Sequence, residues 1–147
     1  MAPLPQWNPK LIICQMISLQ CLFYLTLGAN LGAAHVLFGT TLSLDHFFTS
    51  EHMNPASATG WIGIGATVLT SLVGSVLLTI VVEKSRKCLD FGSTIYIFHL
   101  IFCSVLRGCP STWEWWIIHV VGLVVMVVIG EYLCSRVEMR DIPLVAI

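Results

Sequence analysis

Charged side chains divide this chain into long silent intervals. No Asp, Glu, Lys or Arg occurs over positions 11–44, a run of 34 residues, or over 52–82, a further 31. Positions 91–106 and 115–130 give two more uncharged intervals of 16 residues each. A helix rises about 1.5 Å per residue, so about 20 mainly apolar residues cross a hydrocarbon layer about 30 Å thick. Each interval, lengthened by its flanking residues, predicts one crossing helix. The pattern predicts an all-α membrane protein with four transmembrane helices in a single domain, with spans about 10–38, 57–82, 89–106 and 112–134.

The helix starts have local signals. Asn8-Pro9 sets a capping side chain before a proline at the first helical position. Asn54-Pro55 repeats the signal ahead of the second span, with Ser57 or Thr59 as alternative caps. Asp90 precedes Phe91 and is expected to cap the third span. Ser111-Thr112-Trp113-Glu114 is a Ser-x-x-Glu capping box, which predicts a fourth helix starting at Thr112.

Composition narrows the function. Of 147 residues, 56% are hydrophobic and 10% charged, against about 25% charged in soluble domains. Little chain is left for an aqueous catalytic domain. A net charge of −1 argues against nucleic acid as a partner. The apolar run from Leu11 is far longer than the 7–15-residue core of a cleaved signal peptide. Sidedness follows from the basic residues. If the N-terminus is cytosolic, that side holds Lys10, Lys84, Arg86, Lys87, Arg136 and Arg140, and the opposite side only Arg107. Both termini are therefore expected in the cytosol, and the 39–54 loop with Asp45 and Glu51 in the lumen. Trp7 is expected at the cytosolic interface, and Trp61, Trp113, Trp115 and Trp116 at the other.

Candidate chemistry is sparse. His99 lies seven residues before Leu106 and His119 seven after Thr112. In antiparallel helices joined by a short loop, the two meet at similar depth. Such a pair reads either as an interhelical hydrogen bond or as part of a proton or metal path. The bland reading is favoured, because a path needs more relay groups. Asp90 and Glu131 sit near the cytosolic ends of the last two helices, with Lys87 and Arg136 as natural counter-ions. They read either as a structural ion pair or as a partner-facing acidic notch. Gly28-x-x-x-Gly32, with Ala29 and Ala33 beside it, offers a close helix contact. Six cysteines lack zinc spacing and a disulfide framework. Free buried thiols are the default, with palmitoylation of Cys88 or Cys134 and a Cys103–Cys109 bridge as alternatives. Three bases over 84–87 suit a membrane-facing loop, and membrane lipids are expected partners. No cofactor, metal or catalytic set is expected. Association into homo- or hetero-oligomers is left open.

Spacing yields a four-helix membrane protein but no partner. The wording of the chain adds one. Lys87-Cys88-Leu89-Asp90-Phe91, Phe98-His99-Leu100, Thr112-Trp113, Trp115-Trp116, Ile129-Gly130-Glu131-Tyr132-Leu133-Cys134 and Ile142-Pro143-Leu144 closely resemble the Sys family of Golgi-resident tetraspan proteins. Trp7-Asn8-Pro9, Gln15 and Ser43-Leu44-Asp45 fit the same pattern. The resemblance covers nearly the whole chain and is densest over 83–144. It implies a membrane receptor for an Arf-related small GTPase whose acetylated N-terminus is needed for docking at the trans-Golgi. A second Arf-like GTPase and golgin tethers follow. It implies a role in endosome-to-Golgi and Golgi-exit traffic, without catalysis.

The resemblance does not supply contact residues. The only sizeable cytosolic surface coincides with its densest part. The expected partner-binding groove is therefore framed by Asp90, Glu131, Tyr132 and the tail through Leu144. The rival from another class is a small transporter or channel subunit using intramembrane His99 and His119.

Overall fold

A computed structural model describes residues 8–82 and 84–141. Within them the regular structure is all helical. The long helices are α1 (Pro9–Phe38), α3 (Ala58–Val82), α4 (Cys88–Arg107) and α5 (Trp113–Asp141). A single turn, α2 (Asp45–Phe48), and a 3-10 turn over Ser50–Met53 lie in the first connection, and a second 3-10 turn, Ser85–Lys87, joins α3 to α4. All four long helices are long and apolar enough to cross a membrane.

The helices alternate in direction. The start of α1 meets the end of α3, where Gln15 Nε2 donates to the Val81 carbonyl at 3.0 Å. The 3-10 turn before α4 meets the end of α5, where the Ser85 hydroxyl donates to Glu138 Oε2 at 3.0 Å. The start of α1 and the end of α5 thus lie at one end of the bundle, called here the basic end. α3 packs between α1 and α5, and α4 packs mainly on α5.

Burial is inverted relative to a soluble protein. Leu25, Val36, Ile80, Val105 and Met139 are exposed, while Ser71, Ser75, Thr67 and Thr70 are buried. Lipid tails are as apolar as leucine, so helix association depends on close approach and hydrogen bonds rather than on removing oil from water. α3 supplies the approach. Its buried face carries Gly60, Gly63, Thr67, Thr70, Ser71, Gly74 and Ser75. The hydroxyls of Thr67, Thr70 and Ser71 donate to the carbonyls of Gly63, Ala66 and Thr67 within α3 itself. Their hydrogen-bonding capacity is met, so the face stays small and satisfied.

Several end signals behave as read. Asn8 Oδ1 accepts from Leu11 N–H at 3.3 Å. Ser57 Oγ accepts from Gly60 N–H at 3.0 Å and so caps α3 in place of Asn54. Gly39 (φ 65°) closes α1, and its N–H reaches the carbonyls of His35 and Val36. Gly108 (φ 87°) closes α4.

Four expectations are corrected. α4 begins at Cys88, so Asp90 is no cap; it lies inside the first turn, where the helix dipole favours it. α5 begins at Trp113 rather than Thr112, and the Thr112 hydroxyl turns instead to the Ser50 carbonyl at 3.5 Å. Trp115 is 2% exposed and belongs to the core, unlike Trp61, Trp113 and Trp116. Gly28 and Gly32 do not carry a close helix contact. A Cβ on Gly28 would meet the Phe47 ring at 3.6 Å, and one on Gly32 nothing within 4 Å. The close approaches between long helices fall at Gly74, Gly92 and Gly122. There an added Cβ would run into Met126, into Val127 Cγ2 at 2.9 Å, and into both Ser71 Oγ and Tyr96 Oη at 2.7 Å.

Candidate functional site

α5 is 29 residues long, about 43 Å at 1.5 Å per residue, and overshoots a hydrocarbon core of about 30 Å. Glu131 lies 18 residues beyond Trp113, about 27 Å along the axis. If Trp113 marks one interface, Glu131 marks the other, and the last turns of α5 stand clear of the apolar layer. These turns and the α3–α4 connection build the basic end.

Two contacts lock this end. The Glu138 carboxylate accepts from Ser85 N–H at 3.3 Å and from Ser85 Oγ–H at 3.0 Å. Beneath it, Cys88 Sγ and Cys134 Sγ lie 3.4 Å apart, both with no exposed surface and both free thiols. Cys88 also donates to the Lys84 carbonyl at 3.6 Å. Gly130, Cys134 and Glu138 recur every fourth residue, so one face of α5 meets the connection. The four-residue spacing was visible in the sequence. What it faced was not, because Ser85 is 53 residues away from Glu138. Burial of both sulfurs overturns palmitoylation at Cys88 and Cys134, since an acyl chain needs an accessible thiol. The Cys103–Cys109 bridge is likewise absent: Cys103 is buried against His99, and Cys109 is exposed and free.

The outer face differs. Asp90, Glu131 and Tyr132 are all exposed, on two packed helices. Lys84, Arg86, Lys87 and Arg140, at the same end of the bundle, are exposed, as are Leu89 and Met139. The expected ion pairs of Asp90 and Glu131 with Lys87 and Arg136 do not form. Arg136 turns to Tyr132, donating from Nε at 3.1 Å and Nη2 at 2.8 Å, with its guanidinium 5.2 Å from the ring centre. A guanidinium satisfied on a phenol oxygen and an aromatic face leaves Glu131 without a counter-ion among the described residues. Among the described residues the one ion pair is Arg107–Asp45, at the far end. No hydrogen bond links Asp90 to Glu131 or Tyr132 among the described residues. Leu144, the fourth expected contact, lies outside the described residues, as does Trp7.

His99 and His119 do meet. Their rings stack with centres 5.1 Å apart and planes 14° from parallel. Trp115 continues the stack 3.9 Å beyond His119. They do not bond to each other. His99 Nδ1 meets Tyr24 Oη at 2.9 Å, and its Nε2 lies 3.6 Å from Cys103 Sγ. His119 Nδ1–H donates to the Trp115 carbonyl at 2.8 Å. The partners are side chains and backbone of the bundle, so the pair ties α1, α4 and α5 together. Tyr24 was missed in the sequence, and its depth on α1 opposite His99 was its only signal.

The chain matches over residues 3–144 the family described as SYS1, integral membrane protein S linking to the trans Golgi network. It is 43% identical over 138 residues to a Protein SYS1 homolog of Dictyostelium discoideum, covering 94% of this chain and 60% of that relative. It is 38% identical over 140 residues to a Protein SYS1 homolog of Nematostella vectensis, covering 95% and 89%. With Protein SYS1 of Saccharomyces cerevisiae it shares 23% over 135 residues, covering 91% and 66%. The chain therefore spans only three-fifths of the Dictyostelium relative. No solved structure matches it. These matches run nearly end to end, and the chain belongs to the SYS1 family of integral membrane proteins linked to the trans-Golgi network.

Proposed function

We propose that this protein is a docking receptor in the trans-Golgi membrane, recruiting an Arf-related small GTPase in support of endosome-to-Golgi and Golgi-exit vesicle traffic. Membership of a trans-Golgi membrane family carries the reading. It is a trafficking role rather than an enzymatic one. The six-to-one excess of bases at one end supports a cytosolic position for that end. One weak anchor gives marginal membrane binding, and a second contact makes it stable. Acetylation removes the positive charge of a protein N-terminus, which suits that end to an apolar surface.

The docking face is the outer surface of the basic end. Asp90, Glu131 and Tyr132 frame it, and Leu144 is the further contact expected from the sequence. Its support is the exposure of Leu89, Tyr132 and Met139 at the same end as two carboxylates that form no ion pair among the described residues. Depleting the protein tests the role: the GTPase should leave the trans-Golgi for the cytosol, and unchanged placement would reject it. Glu131→Lys tests the face. With Golgi delivery of the receptor unchanged, the GTPase should be released, and continued recruitment would reject this placement.

A further inference from the structure

The far end of the bundle is closed by a cap that no part of the docking reading uses. It runs from Gly39 through α2 and the Ser50–Met53 turn to the start of α3. Three of the five histidines of the chain converge there. His35, in the last turn of α1, is 2% exposed. Its Nδ1 contacts Thr40 Oγ1, while its Nε2 is buried without a hydrogen-bond partner. The ring centre of His46 lies 4.6 Å from that of His35, and His52 stacks on His46 at 4.1 Å with planes 22° apart. His35, His46 and His52 line one open hollow of about 490 Å³, with Thr59 at the start of α3 on its rim.

We propose that this cap is a proton-operated latch, shut when His35, His46 and His52 are neutral, with His46 stacked on His52 and edge-on to His35, and released when protons charge them. Stacked neutral imidazoles attract, whereas imidazolium ions at the same spacing repel. Among the described residues no His, Cys, Asp or Glu cluster is disposed to hold a metal, which would otherwise keep such rings together.

The surrounding charges do not cancel the effect. On α2, Asp45 is already paired with Arg107 from the end of α4. Glu51, beside His52, and Glu114 at the start of α5 line a neighbouring hollow with Ser50 and Thr112. For His52, burial and His46 outweigh the pull of Asp45 and Glu51, and its pKa is held below the usual 6.5. The sign is then fixed. A base with a lowered pKa in the shut state binds protons better in the open state, so the latch is firm above about pH 6.5 and weakens as pH falls through that value. Latching does not depend on the docking role. Which compartment supplies the protons rests on the sidedness above.

Hydrogen exchange of the full-length protein in nanodiscs at pH 7.5 and pH 5.5, corrected for intrinsic rates, tests this. Amides over 39–57 should lose protection severalfold at the lower pH, because the cap imidazoles bind protons more tightly in the open state. Those of α3 and α5 should hold. His35→Gln, His46→Gln and His52→Gln together should remove the response. Equal protection at both pH values overturns the proposal, as does a response that survives the triple substitution. If that variant does not fold, imidazole NMR titration of the unaltered protein decides. Cap amide signals should move in step with the three rings, and imidazoles titrating without them overturn the latch.

Discussion

At the residue scale, small side chains decide where the helices touch. Gly122→Ala would put a methyl group 2.7 Å from Ser71 Oγ and Tyr96 Oη, which themselves lie 2.7 Å apart in a hydrogen bond. The hydrogen bond must break or α5 must move, and either should cost about 1–3 kcal/mol. Gly32→Ala meets open space and should leave stability unchanged within about 0.5 kcal/mol. Melting of the two purified variants in one detergent should separate them clearly, and equal Tm values would contradict the packing. The Arg107–Asp45 pair has side chains 51% and 42% exposed. Exposed pairs are worth little, so Arg107→Ala should barely move the same Tm. Thiol accessibility gives another check. Cys109 should react with a charged maleimide, while Cys88 and Cys134 should resist it until the bundle is unfolded. The meeting of His99 and His119 was legible because counting from helix ends fixes depth. The burial of Trp115 was not, because depth says nothing about which way a side chain faces.

At the element scale, α5 does two jobs. Its first turns, through Trp115 and His119, belong to the apolar core, and its last turns clasp the α3–α4 connection through Glu138. Glu138→Ala should cost about 1 kcal/mol, since it removes two hydrogen bonds to a carboxylate in partly wet surroundings. The loss should show as faster amide exchange over 84–88 with α3 unchanged. Unaltered exchange there would mean that the turn holds itself. α3 holds the bundle by being narrow. Its stripe of glycine, serine and threonine was present in the sequence, but α1 offered a rival Gly-x-x-x-Gly. Small residues permit a close approach without saying which neighbour makes it.

At the scale of the whole molecule, the two ends have different chemistry. The basic end has a locked inner seam and an open outer face. The far end has a histidine-lined cap. Both His99 and His119 are committed to partners within the bundle, which favours a structural role over a conducting one. Replacing both with glutamine should lower Tm while leaving the GTPase at the trans-Golgi. A measurable flux lost in that variant, with GTPase placement intact, would instead favour the transporter reading. Tags at the two termini should be accessible from the same side of the membrane.

The sequence alone determined that four helices are long and apolar enough to cross a membrane, and the sidedness expected of them. Those follow from one-dimensional facts: where charges are missing, and where bases gather. The family, too, was legible in local wording. Tertiary structure alone decided which small residues touch, that Arg136 turns to Tyr132 rather than to Glu131, that Cys88 faces Cys134, and that His35 joins His46 and His52. These are choices of angle about a helix axis and of partner across long chain separations. In lipid, nearly every face of a helix is apolar, so hydrophobic periodicity no longer distinguishes inside from outside. Only the packed bundle supplies that distinction.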